Sequence, residues 1–515
     1  MQLKHRPMQM KFTPTGKIAV LLFLGLFASY LSLSPGTIAG QGYAGEEMDS
    51  GLRMLSVATA WMKGHQAPPM LWSRHGPVPV LFDLPFLKLG KLAVSPDFAL
   101  SFEPVLFTAG LATILFLWLR KVCSPGMSLF LTLTAAFGTM LWPYAYIGLE
   151  TKQSFFVLLA GYLALAGGKI RSWPRVLFFA IVCALAMTIK STGVTLLPAI
   201  AYLVYVQFRD DWRIRRSQML VLVLIVVGVS ALGVWGRNFY WTPMGGGADA
   251  LRPWLVDSPF QVFSNAIGVF GSPTKGLLVY SPLLIAGLYA VPRAFRGHHD
   301  IVIYTSLVTA CTLGLLSVLV TASDEVWGCR YLHLAIPLLI LCIGAAWPRF
   351  RWRREAWLAV LGIVGVAISF LGAFFYYGVR DFAMKDAGQN TMEWIAGDNV
   401  WNHIEFNDRL LHTWLEGGTL PALWTPRHVW VWTPPPDASP WKSINLRNYC
   451  EPQSFLVRFW HVPKTGLVMR LFVMYLLSLI AGVSLLAGVF LGTVKEQRTE
   501  SAADFALDAH ELRVT

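Results

Sequence analysis

Three carboxylates fall within four positions at Gly45-Glu46-Glu47-Met48-Asp49, just ahead of a run in which Leu52, Leu55, Val57, Ala58 and Trp61 recur at helix-like spacing until Lys63-Gly64 ends it. A carboxylate held near a membrane surface can take a proton from an acceptor hydroxyl, provided burial or a neighbouring like charge lifts its pKa towards working pH. The same acids would also cap the helix and favour its dipole, and spacing alone leaves both roles open. Further along, Ser73-Arg74-His75-Gly76-Pro77 precedes an apolar, proline-rich stretch. It reads either as a surface turn or as a place where Arg74 or His75 holds a phosphate oxygen, for which a guanidinium is geometrically suited.

Other charged groups lie where apolar runs begin or end: Glu150 with Lys152, Lys190, Arg237, Lys275, and Glu325 with Arg330. Singly, each reads as a snorkelling anchor. Together they would ring one cavity at the same side of a membrane.

The elements that must position these groups are apolar helices. The chain has 515 residues, 55% hydrophobic and 14% charged, more apolar than a soluble core can hide. Runs long enough to cross about 30 Å of hydrocarbon recur from end to end. They lie near 18–35, 99–119, 127–148, 153–168, 176–190, 192–208, 218–236, 276–292, 301–321, 331–347, 356–377 and 467–493. The runs at 153–168 and 176–190 are short, and are expected to be tilted, kinked or extended by flanking residues.

Cations fix the direction, because positive residues near span ends stay on the cytoplasmic side. Alternate connections are basic: Lys4, Arg6, Lys11 and Lys17; Arg120 and Lys121; Lys169, Arg171 and Arg175; Arg209 to Arg216; Arg293 and Arg296; Arg349 to Arg354; Lys495 and Arg498. Twelve spans with both termini inside satisfy all of them. The net charge of +13 is therefore mostly topology, dispersed over inner loops with no stripe for nucleic acid.

The first apolar run is longer than the core of a cleaved leader and reads as a retained span. The cysteines at 123, 183, 311, 329, 342 and 450 have no metal or redox spacing. Only Cys329 and Cys450 fall on the outer side, where a disulfide would survive.

Three outer segments are long, about 36–98, 237–275 and 378–466, so function is expected to face outward. The first carries the amphipathic run after Asp49. The third holds eight tryptophans, from Trp394 to Trp460, and the stretch Thr433-Pro434-Pro435-Pro436. Tryptophan suits either the bilayer interface or stacking on a sugar ring. The chain thus divides into a transmembrane core at 1–377 including the first outer loop, a Trp-rich outer segment at 378–466, and a last span with an inner tail at 467–515.

The stretch GEEMDSGLRMLSVATAWMKGH resembles the acidic first-loop motif of GT-C fold glycosyltransferases that use polyprenyl-phosphate sugars, a superfamily including protein O-mannosyltransferases and lipid A aminoarabinose transferases. SRHGPVPVLFDLPFLKLGK is similar to the Lys/Arg-His-Pro-Pro segment that follows in such proteins. GLETKQSFFVLLAGYLAL, TIKSTGVTLLPA, GRNFYWTPMGGG, GSPTKGLLVYSPLL and EVWGCRYLHLAIPLL continue the likeness in order, over about residues 17 to 350. Glu46-Glu47 replaces the usual Asp-Glu, and Ser50-Gly51 an aromatic residue, so Glu46 leads as base with Glu47 and Asp49 as rivals.

The resemblance implies an all-α polytopic membrane protein: a GT-C-like bundle of about twelve spans with amphipathic helices on its outer side. It implies a glycosyltransferase in the bacterial inner membrane, taking a sugar from a polyprenyl-phosphate donor to a hydroxyl on a glycan, lipid or protein, with inversion. The leaving phosphate needs no strong acid, but its growing charge must be met by Lys, Arg or a divalent cation. Arg74, Lys190, Lys275 and Arg330 are the candidates for it, followed by His75, Lys152 and Arg237, with Glu150 and Glu325 lining the pocket. No cofactor is assured; Asp324-Glu325 leaves room for a divalent cation. The competing readings are a transporter or lipid flippase and a polysaccharide ligase with a lipid diphosphate donor; no similarity between halves is visible for the first, and the second would not share the Glu46 motif.

Overall fold

The computed structural model describes residues 14–34, 77–92, 96–146, 148–241, 256, 258–272, 275–318, 328–349, 352–374, 404, 411–412, 456 and 465–514. Among these residues helices are the only regular structure, and the protein is an all-helical membrane protein. Among the described residues, five helices are long and apolar enough to cross a membrane, and six more apolar helices are shorter.

The helices are α1 (Pro14–Leu33), α2 (Pro77–Leu92), α3 (Phe102–Leu119), α4 (Pro125–Gly138), α5 (Gly148–Gly161), α6 (Trp173–Thr188), α7 (Leu197–Phe208), α8 (Arg216–Trp241), α9 (Pro259–Gly271), α10 (Leu283–Phe295), α11 (His299–Val318), α12 (Ala335–Ala346), α13 (Trp352–Phe374) and α14 (Gly466–Val514). Every one of the twelve apolar runs meets a helix. Several start with proline in the first turn, where the missing N–H costs nothing because that donor has no helical partner.

The departures from unbroken spans are local. The run at 127–148 stops at Gly138, turns through an extended Thr139 and resumes as Leu141–Tyr144. The run at 276–292 breaks at Ser281-Pro282, after a short helical turn at Leu277–Tyr280. The short run at 153–168 is extended at its start by the polar turn Gly148–Gln153, and closes with a π-helical turn, Tyr162–Ala166. α2 is unexpected: its sequence has the marks of a proline-rich loop, yet Pro77 and Pro79 sit in the first turn and only Pro85 is interior.

α1 packs mainly on α14 and α3, α13 on α4, α10 on α12, and α5 on both α3 and α6. One large apolar cluster fills the centre and a second joins α1, α3 and α14. Where α13 crosses α4 the backbones touch. A Cβ on Gly365 would collide with the carbonyl oxygen of Gly138, and one on Gly362 would stand 2.9 Å from the Thr134 methyl. Small residues that let helices approach supply the packing that hydrophobicity cannot supply in lipid. Gly365→Ala is accordingly expected to cost about 1–3 kcal/mol, seen as a lower melting temperature in detergent; an unchanged value would mean the two helices are not in contact.

The basic connections gather at one end of the bundle. Arg120 pairs with Glu496 at 3.0 Å, and Thr15 donates to the same carboxylate at 3.1 Å. Ser124 N–H donates to the Pro348 carbonyl, and Arg293 lies over the Trp347 ring. Lys169 pairs with Asp210 at 2.9 Å, and Arg209 lies 3.8 Å from Asp300. These contacts tie together five of the loops that the charge rule places on the inner side, and both ends of the chain.

Candidate functional site

At the opposite ends of the same helices, among the described residues, lie buried charged groups. α3 shows the contrast within one element, with Glu103 in its first turn and Arg120 as its C-cap. α5 starts with Gly148-Leu149-Glu150, which places an acid in the first turn, where the helix dipole favours it. Burial in an apolar medium then demands partners for Glu150, and it has two. Lys190, which follows α6, reaches Glu150 Oε1 with its Nζ at 2.7 Å, and Arg330 Nε stands 3.7 Å from the same oxygen. All three residues are at least 95% buried.

The Tyr331 ring lines this cluster. Lys190 Nζ lies 3.9 Å and the Arg330 guanidinium 4.9 Å from its centroid, and an Arg330 N–H donates to the Tyr331 hydroxyl at 3.2 Å. Arg330 starts the 3-10 turn Arg330–Leu334, three residues before His333. His333 Nδ1 and Ser154 Oγ are 2.6 Å apart, and the imidazole tilts against Tyr144. Two layers therefore join this turn to α5: Arg330 to Glu150, and one helical turn deeper His333 to Ser154. His333 Nε2 is buried with no hydrogen-bond partner among the described residues. Lys275 is also buried, just before Leu277–Tyr280, and lies within electrostatic reach of Cys329 together with Arg330. Gly328, with φ of 65°, makes the turn that delivers Cys329 and Arg330, and a side chain there would strike Met140 and Tyr280.

A second cluster adjoins the first. Lys152, two residues after Glu150, is wholly buried, and its Nζ lies 2.9 Å from Asp83 Oδ1 on α2 and 3.1 Å from Glu103 Oε1 on α3. Burial, with Glu103 beside it, pushes the Asp83 carboxyl well above the usual carboxylate range.

The structure thus brings together Glu150, Lys190 and Arg330, sets Lys275 close by, and places Lys152 next to them in its own trio. Glu46, Glu47, Asp49, Arg74, His75 and Glu325 lie outside the described residues, as do the amphipathic run at 52–61, Cys450 and nearly all of 378–466. Arg237 lies within α8 near its end. Cys329 is a free buried thiol, not half of a disulfide. Among the described residues no His/Cys/Asp/Glu group of three could hold a metal ion. Asp83, Glu103, Ser154, Tyr331 and His333 were not singled out from sequence. Asp83 and Glu103 had a signal, since each is a lone acid in an apolar stretch, VLFDLPF and SFEPVLF, where an unpaired charge is too costly to leave.

No protein-family description matches the chain, and no curated protein does. Among solved structures it is similar to the crystal structure of ArnT from Cupriavidus metallidurans in the apo state, with 12% identity and a TM-score of 0.45 over 93% of this chain and 76% of that one.

Proposed function

We propose that this chain is an integral membrane glycosyltransferase of GT-C type. It transfers a sugar from a polyprenyl-phosphate donor to an acceptor hydroxyl on the outer face of the membrane, with inversion. The observation that carries the reading is the convergence of Lys190 and Arg330 on Glu150, with Lys275 close by, at the end of the bundle away from the basic loops. Buried cations converging on one spot are a perturbed, functional-site arrangement of the kind that receives an anion. A phosphate leaving an anomeric carbon is such an anion, and its charge grows through the transition state.

The ordered motifs of the sequence, from GEEMDS to EVWGCRYLHL, support the same assignment. In this reading Lys190, Arg330 and Lys275 hold the donor phosphate from the outer leaflet, with Arg74 and His75 completing the grip. Glu46, or Glu47 or Asp49 in its place, deprotonates the acceptor for in-line attack. Glu150 keeps the cations apart and oriented. The chain crosses the bacterial inner membrane about twelve times, with both termini in the cytoplasm.

Purified protein in liposomes, supplied with a polyprenyl-phosphate sugar and lipid or glycan acceptors, should release polyprenyl phosphate only when an acceptor is present. Movement of a solute or lipid across the vesicle with no donor consumed would replace transfer by transport. Topology has its own check: a cysteine placed at Lys121 should react with a membrane-impermeant maleimide only after spheroplasts are opened, and one placed at Asp97 before. The reverse pattern would put the buried cations on the cytoplasmic side.

A further inference from the structure

We infer that His333 is a positioning residue: its hydrogen bond to Ser154 pins the turn Arg330–Leu334 against α5 and so fixes the height at which Arg330 stands over Glu150. The inference rests on the transferase reading above and adds to it a group that acts through Arg330.

Arg330 and His333 are three residues apart in a 3-10 turn, and the groups they meet on α5, Glu150 and Ser154, are four apart in an α-helix. A 3-10 turn rises about 2.0 Å per residue and an α-helix about 1.5 Å, so both steps span roughly 6 Å. The two rungs therefore fit in one register. Wound as an α-helix, the step from Arg330 to His333 would be about 4.5 Å, and a histidine held at Ser154 would then carry Arg330 about 1.5 Å off its place. The Ser154 hydroxyl has no other hydrogen-bond partner among the described residues. It therefore donates to His333 Nδ1 and the imidazole carries its proton on Nε2, because the reverse would leave both the hydroxyl hydrogen and the Nε2 lone pair unmet. The Nε2–H is buried without an acceptor among the described residues. A buried donor left unmet lowers stability, so an apolar side chain would serve packing better here. What the imidazole supplies, and an apolar side chain cannot, is a directional acceptor for Ser154. Tyr144 closes another side of the ring, with centroids 5.2 Å apart, and its carbonyl accepts from Thr151 on α5 at 3.2 Å.

The test uses the full chain in nanodiscs, with polyprenyl phosphate as the binding probe and a polyprenyl-phosphate sugar for turnover. Ser154→Ala and His333→Leu should each raise the Kd for polyprenyl phosphate and the donor KM about tenfold, with kcat within about twofold, and the double variant should be little worse than either. The double variant should melt at or above the wild-type temperature, since both halves of the hydrogen bond are replaced by apolar groups. His333→Asn, whose Oδ1 sits near the place of Nδ1 and can accept from Ser154, should restore the Kd to within about threefold of wild type, and should restore nothing once Ser154 is alanine. On an Arg330→Ala background His333→Leu should change the Kd less than about twofold. Two readings need no donor. Amide hydrogen exchange over residues 330–334 should speed up at least about tenfold in His333→Leu. Nitrogen-15 spectra of histidine-labelled protein should show a neutral Nε2–H imidazole whose signals vanish in His333→Leu and move in Ser154→Ala.

Additive losses with Arg330→Ala, or an unchanged Kd in His333→Leu, would overturn the pin. So would a fall in kcat at constant KM, since His333 would then act on the reaction itself, and so would a double variant that melts well below wild type, since the pair would then be a structural bond only. If wild-type protein neither binds polyprenyl phosphate nor consumes the donor, the transferase reading fails, and the exchange and nitrogen-15 arms still decide whether the pin exists. Should His333→Leu not accumulate, Ser154→Ala, the smaller change, carries the same measurements with the same deciding outcomes.

Discussion

Glu46→Gln is expected to lower sugar transfer by about 10²–10⁴-fold, the usual contribution of a positioned general base, while the chain still inserts and binds donor. The amide keeps the size of the side chain and removes only its ability to take a proton. Donor affinity should survive because the proposed phosphate ligands, Lys190, Arg330 and Lys275, lie elsewhere. Transfer is measured as acceptor-dependent release of polyprenyl phosphate, and affinity by titration with the same donor in the absence of acceptor. Full activity in Glu46→Gln removes Glu46 as the base and moves the question to Glu47 and Asp49, whose amide variants follow the same protocol. Loss of donor binding along with transfer would mean that the first-loop acids shape the donor site instead.

How much of this was legible in the sequence depended on the physics of each feature. Twelve apolar runs were readable because a helix in lipid must satisfy its own backbone, so length and hydropathy nearly determine it. The gathering of the basic loops was readable for a related reason, since Arg120, Lys169, Arg209 and Arg293 obey a rule about loops and need no knowledge of packing. α2 was hidden: Pro77, Pro79 and Pro85 are loop signals by propensity, and only its packing against the bundle makes a helix of them. Glu150, Lys190 and Arg330 were found singly because each is a charge at the end of an apolar run. Their pairing was not legible, because it depends on which helix ends are neighbours and sequence distance says nothing of that. Asp83 with Lys152 is the plainest case, since the two stand 69 residues apart in the chain.

The contact between Arg330 and Glu150 makes them the most informative pair to change. In Arg330→Ala the carboxylate of Glu150 retains Lys190 at 2.7 Å, so no buried charge is left alone and the fold should lose little. Donor affinity, by contrast, should fall about a hundredfold, near 3 kcal/mol, the scale of removing a charge-assisted hydrogen bond from a desolvated phosphate. Lys275→Ala should act in the same direction, and unchanged affinity in both would remove the phosphate role from this end of the bundle. Glu150→Gln should do the opposite. It leaves Lys190 and Arg330 beside each other without the acid between them, and removing one partner of a buried pair costs about 3–5 kcal/mol, so thermal stability in detergent should drop sharply. Removing one negative charge should let the site hold a donor phosphate more tightly in whatever fraction folds, and saturating donor should restore part of the lost melting temperature, because a ligand that binds only the folded state stabilises it. A larger stability loss in Arg330→Ala than in Glu150→Gln would reverse these assignments, making the arginine the brace and the acid the group that meets the substrate.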